Sequence, residues 1–497
     1  MKLFFNEGGE MKKGVIALML ITLYSVTGAF ASGLSIPEQG AAAMAMSAAV
    51  TARSEDLSSI FYNPAGISYV DGFEVSAGII PISPSFKYTP FREDNTLFEK
   101  ADAKSKTFLP PQFYAAWRAS SSTVLGIGVF SPLGMGTDWD RDWAGRYTST
   151  FAEIQTINVN PTLAYTVNDK VTVGLGVSYI QSSAKMEMMV DTGSSLYKNV
   201  FKKNPVFAGV QANPDYDTLS GLDGNGSAFN FNIGTIIKAT DQLQIGVSYR
   251  SAFDIEYDGD ATFSHKETMI RNTVANATTL ALQGSGLTDT AIAALASAKA
   301  DTAYWGVSGL MPATQSGKAT FKMPWMLNLG AKYDFSEIWD FSVDLDIVGW
   351  SVNDELVLDF GKDKPKDKLV MPKDWINSFV LRGGTSYMVN NAFVLRGGML
   401  FDRNPVPEET IDGQLPDSNR WGLSVGAGYR FGGVRLDVSY MLLNFFRREK
   451  ENGIGVSTDI TGDGVIDRFD VPAGYPVGNG KYDSIAHLFA VMAGVAF

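Results

Sequence analysis

The feature that most constrains this chain is the strict alternation of apolar and polar residues in its closing segment. Phe489, Val491, Ala493, Val495 and Phe497 take every second position up to the last residue. A period of two marks a strand with two unlike faces. The same alternation recurs from Gly72 onward. Its clearest run spans 171–190, where Val171, Val173, Leu175, Val177 and Tyr179 alternate with Thr172, Gly174, Gly176 and Ser178. A terminal aromatic on an alternating last strand is similar to the assembly signal of bacterial outer-membrane proteins. The barrel it implies is expected to close at Phe497 itself.

Composition supports a membrane barrel. The 497 residues include 31 Phe, 19 Tyr and 9 Trp, yet mean hydropathy is close to zero. A helical membrane protein would show runs of about 20 apolar residues, whereas a transmembrane barrel places apolar residues only at every second position. A soluble all-β fold would leave whole rows of aliphatic side chains facing water. Short turns at 120–122, 167–170, 240–242, 389–391 and 432–433 alternate with long loops, and the count between them is fourteen strands. The expected fold is an all-β transmembrane, 14-stranded antiparallel outer-membrane barrel. Its sixth strand is expected to follow a loop reaching Gly226, and its longest loop to span about 262–318. The net charge of −12 argues against a nucleic-acid partner.

The N-terminus reads as an export leader. Lys12 and Lys13 are basic, 14–24 is a short apolar run, and Ala29-Phe30-Ala31 is a small-x-small cleavage signal. Acidic Glu7 and Glu10 leave open whether translation starts at Met1 or Met11. The division expected is leader 1–31, plug 32–70 and barrel 71–497. The plug segment is rich in Ala, Ser and Gly rather than alternating. It carries a helix-start signal at Ser54 followed by Glu55 and Asp56, and it stops at Asn63-Pro64-Ala65-Gly66. It is expected to sit, partly helical, inside the lumen.

No catalytic constellation is legible. A Ser-His-acid hydrolase needs an oriented imidazole, and His265 and His487 lie in no recognisable motif. The expectation is a non-enzyme, with an outer-membrane lipase as a lesser alternative and an adhesion barrel as another.

Four local patterns go further: Tyr62-Asn63-Pro64-Ala65; the stretch from Ser131 to Trp139 continuing to Trp143-Ala144-Gly145-Arg146-Tyr147; Ile157 to Tyr165; and Leu395 to Asp402 with Pro405-Val406-Pro407. In order and spacing they resemble the outer-membrane long-chain fatty acid transporter family, which includes the TodX-type importers of aromatic hydrocarbons. The resemblance implies passive uptake of hydrophobic small molecules past an N-terminal plug, in the outer membrane of a Gram-negative-type bacterium. It implies no required cofactor, and as partners the cargo, outer-membrane lipid and lipopolysaccharide, and the barrel assembly machinery. The barrel is expected to be a monomer.

Such cargo is best released sideways into lipid, which requires a gap in the wall. Gly126, Gly128, Pro132, Gly134 and Gly136 fit a kinked third strand, because Pro cannot donate to a ladder and Gly permits a bulge. By the resemblance, Phe108 and Ser131 flank this lateral gate. Asn63, Pro64 and Ala65 form the plug motif, with Asn63 expected to serve groups freed by the kink. Apolar residues on an outer-loop helix at 288–300, among them Leu295, are expected to form a landing site with Trp139, Trp143, Tyr304 and Trp305. Fatty-acid members hold the carboxylate with two basic side chains. The matching positions here are Met188, on the lumen face with Met186, and Val357. Neutral aromatic or aliphatic hydrocarbons are therefore expected over fatty acids.

One motif is independent of the family. Asp459, Thr461, Asp463, Val465, Asp467 and Asp470 fall at positions 1, 3, 5, 7, 9 and 12 of a calcium loop, with Gly464 at 6. Thr461 and the short Asp470 depart from the pattern, and an acidic solvated loop is the alternative. Calorimetry is expected to show Ca²⁺ binding at ~10⁻⁴–10⁻³ M that disappears in Asp463→Ala. Identical heats in the two proteins would remove the site.

Overall fold

The computed structural model describes residues 33–91, 99–201, 204–211, 213–310, 313–359, 368–450 and 478–497. The leader and the calcium motif at 459–470 lie outside the described residues.

Fourteen antiparallel strands form one closed wall. In order they are β1 (Phe73–Ile79, Ile82–Pro90), β2 (Ala101–Asp102, Pro111–Arg118), β3 (Thr123–Phe130, Gly134–Asp138), β4 (Phe151–Asn168) and β5 (Val171–Val190). Then come β6 (Thr218–Lys238), β7 (Leu243–Arg250, Phe253–Ser264), β8 (Thr314–Met323, Met326–Ser336) and β9 (Trp339–Val348, Glu355–Asp359). The rest are β10 (Lys368–Pro372, Ser378–Met388), β11 (Phe393–Asp402), β12 (Arg420–Phe431), β13 (Val434–Phe445) and β14 (Gly480–Ala496). Closure is a ladder from Glu74↔Ala496 to Ile79↔Val491 between β1 and β14. The Phe497 N–H donates to the Phe73 carbonyl at 2.8 Å, and the two rings stack at 6.0 Å. The terminal aromatic thus completes the seam.

Outward positions form an apolar belt including Trp117, Leu125, Leu163, Leu175 and Phe231, while Asn160, Thr162, Ser178 and Asn232 are buried inside. Two boundaries differ from the sequence reading. The sixth strand begins at Thr218, because the Gly- and Asp-rich stretch before Gly226 pairs with β5 from Val190↔Thr218 to Ser182↔Gly226. The outer-loop helix is longer and has a partner: α3 and α4, defined below with the plug helices, pack through Ile270, Val274, Ala300, Ala303 and Val307.

Residues 33–70 lie in the lumen. Helix α1 (Ala41–Ala45) packs on β11 to β14, and the 3-10 turn Pro64–Tyr69 packs on β3 to β6, so the segment reaches across from wall to wall. Besides a helix at Thr192–Asn199, the other α-helices among the described residues are α2 (Ser59–Tyr62), α3 (Glu267–Leu282) and α4 (Asp289–Leu310). Close approach needs a bare wall: a Cβ on Gly174 would enter the Pro64–Ala65 peptide, and one on Gly234 would meet Asn63.

The expected helix start at Ser54 is not used, and α2 begins at Ser59. The acidic pair has other partners. Glu55 bonds to Arg53 at 3.2 Å and Lys332 at 2.9 Å, and Asp56 pairs with Arg435 at 3.2 Å. Asp56 also accepts from Ser58 N at 2.7 Å, which turns the chain before α2. Arg53 is also paired with Asp340 on β9, Thr51 N donates to Asp344 at 2.7 Å, and Arg382 on β10 donates to Ser47 O at 3.0 Å.

These bonds fasten the plug to β8–β10 and β13. Arg53→Met leaves Asp340 and Glu55 short of a cation, at a cost of about 3–5 kcal/mol. The barrel should still fold, because its ladder does not involve Arg53. The plug should become protease-sensitive, read as new cleavage between residues 33 and 70. Full protection would show that the plug is held elsewhere.

Candidate functional site: a window in the barrel wall

The β2–β3 ladder stops at Phe113↔Val129. Beyond it β2 reads Pro110-Pro111, two residues with no N–H to offer a neighbour. On the other side β3 breaks at Ser131-Pro132-Leu133 and resumes at Gly134, paired with Gln155 of β4. Phe108 belongs to the β1 side, exchanging backbone bonds of 2.9 Å with Ile82. The two edges meet again where Lys104 N donates to Asp138 O at 2.7 Å and the Lys104 ammonium pairs with the Asp138 carboxylate at 3.0 Å. Between these limits the wall has a window.

Its freed backbone groups are satisfied from inside. Ile36 N donates to Pro132 O at 2.8 Å, and Gly134 N donates to Leu34 O at 3.1 Å. The Gln39 amide donates to Ser131 O at 3.0 Å, and the Thr156 hydroxyl donates to Leu133 O at 2.6 Å. Gln112 of β2 ties the same corner together, donating to Gln39 Oε1 at 3.2 Å and accepting from Gly40 N at 2.8 Å. Asn63 does not serve the kink. Its amide donates to Thr51 O at 2.8 Å and Thr235 O at 3.0 Å, and its oxygen accepts from Ala65 N at 3.2 Å. It lies across the plug from the break, next to β6.

Behind the window is a cavity of about 430 Å³. Phe108, Ser131, Gly134 and Gly136 line it with Ile36, Ile82, Leu133, Ile154, Leu443 and Leu488. The Phe108 ring rests over Gly136, where a Cβ would sit. Lys106 reaches over that ring, at 5.2 Å from its centroid, to Glu153 of β4. At its inner end the cavity meets Glu38, Asp417 and Arg420. Burial pushes the Asp417 carboxyl up to about 6, opposed by Arg420 and reinforced by Asp402.

The other expected site residues scatter. Pro132 lines a small neighbouring space of about 30 Å³ with Phe61 and Asn158. Gly126 and Gly128 are below the break, in the continuous ladder, and give room to Ile60 and Ile67 of the plug. Trp139 and Trp143 are buried and stacked at 4.4 Å, and Trp139 donates to Gly413 O at 2.9 Å. They hold the loop whose Gln414 and Leu415 roof the cavity, and they are not grouped with Tyr304, which packs on the helical hairpin. Leu295 is exposed, because α4 buries Ile292, Ala296 and Ala300 instead. Met186 and Met188 both join the apolar cluster of the upper lumen. Val357 does not: Leu356 and Leu358 beside it are buried in that cluster, and alternation turns Val357 the other way. Arg146, in the second motif, forms a fully buried pair with Asp217 at 2.8 Å. His487 bonds to the Tyr440 hydroxyl at 2.8 Å, and His265 to that of Thr218 at 3.1 Å.

Residues 22–497 match the family model described as outer membrane protein transport protein (OMPP1/FadL/TodX). The chain belongs to this family. Membership makes it an outer-membrane transport protein for hydrophobic compounds. A long-chain fatty acid transport protein of Salmonella typhi is 24% identical over 392 residues, 78% of this chain and 82% of the relative. The fold is shared with a Pseudomonas aeruginosa FadL homologue (TM-score 0.72, 18% identity, 94% of this chain and 100% of the other). It is shared too with the Pseudomonas putida toluene transporter TodX (TM-score 0.61, 15% identity, 94% and 100%).

The fit of Phe108 against Gly136 can be measured as a coupling. Gly136→Val should cost about 1–3 kcal/mol from crowding in the wild-type background and much less in Phe108→Ala, read from thermal unfolding. Equal costs in both backgrounds would show that the ring does not depend on the bare glycine.

Proposed function

We propose that this transporter passes hydrophobic small molecules from the upper lumen into the cavity behind the window, and out sideways between β2 and β3 into the membrane. The observation carrying this reading is the apolar cavity of about 430 Å³ that abuts the interrupted ladder. A greasy solute gains nothing from a watery exit, whereas lateral release keeps it in apolar surroundings throughout. The ladder gap costs little here because residues 34–39 and Thr156 satisfy its backbone groups. Phe108 is the movable cover: its ring is half-buried and no covalent or ionic bond fixes it in place.

Neutral hydrocarbons are the favoured cargo over fatty acids. Met188 stands among apolar neighbours where the family's fatty-acid members use a basic side chain, and Lys185 is outward-facing, 3.6 Å from Glu187. An unpaired carboxylate in such a pocket costs several kcal/mol or takes up a proton. The barrel acts as a monomer in contact with outer-membrane lipid and lipopolysaccharide, inserted by the assembly machinery.

Phe108→Glu combined with Ser131→Arg should close the window with a charge pair and abolish uptake of a labelled hydrocarbon into proteoliposomes, with folding intact by heat-shifted gel mobility. Undiminished uptake in that variant would refute lateral exit. If the wild type itself carried nothing, a surface-adhesion role would take its place.

A further inference from the structure

The inference rests on the transport reading above and extends its cargo from neutral hydrocarbons to neutral molecules with one polar head. The cavity is apolar along Ile82, Phe108, Leu133 and Leu488, but it ends on three charged side chains, Glu38, Asp417 and Arg420. Two of them are already engaged. Arg420 donates to Asp402 through Nε at 2.9 Å and Nη2 at 2.8 Å. Asp417 accepts the backbone N–H groups of Gly33 and Ser418, each at 2.9 Å.

Glu38 differs. It is 3% exposed, it borders the cavity, and among the described residues its carboxyl group accepts from its own backbone N–H and from no other side chain. A buried carboxylate normally accepts several hydrogen bonds. Glu38 therefore offers its acceptor capacity to whatever enters.

The charge balance selects the kind of head group. Glu38, Asp402 and Asp417 gather around Arg420, and the nearby Arg382 is bound to Asp346 at 2.6 Å. A carboxylate arriving here would meet an excess of its own sign after losing its water. A hydroxyl would instead donate to a carboxyl oxygen of Glu38. We propose that the cavity behind the window selects neutral amphiphiles with an apolar body and a hydroxyl head, the hydroxyl donating to Glu38.

Isothermal titration of the purified full-length protein with 4-butylphenol, butylbenzene and 4-butylbenzoate varies only the head. The phenol should bind about tenfold tighter than butylbenzene, as one buried hydrogen bond allows, with the benzoate weakest. In Glu38→Met the phenol-to-butylbenzene ratio should fall to near one. Glu38→Gln retains an acceptor oxygen, so it should retain most of the ratio and control for any loss of folding. A ratio unchanged by Glu38→Met, or a benzoate that binds tightest, would overturn the head-group assignment while leaving transport standing. Failure of the folded wild type to bind all three would instead overturn the transport reading beneath it.

Discussion

Every backbone N–H and C=O at bilayer depth must find its partner within the protein, because hydrocarbon supplies none. Most of this barrel meets that demand with its ladder, from the β1–β14 seam round to β13. The break at Ser131-Pro132-Leu133 is the exception, and the first residues of the plug repair it. Leu34 and Ile36 bond to the free edge of β3 as a neighbouring strand would, and Gln39 takes the remaining carbonyl. Plug and window are therefore one structural unit: the opening exists only because a segment from inside the lumen stands in for the missing strand.

Two kinds of bonding hold that plug. Toward β8–β10 and β13 the contacts are ionic, through Arg53, Glu55, Asp56, Lys332, Asp340 and Arg435. Toward β2, β3 and β6 the neutral amides of Gln39, Gln112, Asn63 and Asn232 are joined by Arg118, which donates to Val70 O at 2.7 Å and Ser68 O at 2.6 Å. A neutral hydrogen bond contributes about 1 kcal/mol net, while stranding a buried charge costs about 3–5 kcal/mol. At the break itself the plug contacts, made through Leu34, Ile36, Gln39 and Gln112, are all neutral.

The same asymmetry gives the cavity its character. Its outer part is hydrocarbon-like, formed by Phe108, Ile82 and Leu488, while its inner end meets the charged half of the lumen at Glu38 and Arg420. Trp139 and Trp143 serve this arrangement indirectly, by fixing the loop at Gly413 that covers the cavity.

The barrel was legible in the sequence: period-two alternation, the succession of short turns and long loops, and the closing Phe497 point to strand number and facing, because these are local properties of the backbone and its neighbours. The break in β3 was legible for the same reason, since Pro132, Gly134 and Gly136 act on the chain where they stand. Only the tertiary structure decided what lies across from what. Gln112 reads as an ordinary lumen residue until Gln39, far away in the chain, is brought to it. Val357 faces away because β9 keeps its even positions inward on both sides of the 3-10 turn Trp350–Val352. Leu295 stands exposed because the α3–α4 hairpin packs closely along alanines, leaving the larger side chain outside. Glu55 and Asp56 signalled a helix start locally but found stronger partners in Arg53, Lys332 and Arg435. The contacts of Gln112 with Gln39, Glu55 with Lys332 and Asp56 with Arg435 join segments distant in sequence, and local pattern carries no record of them.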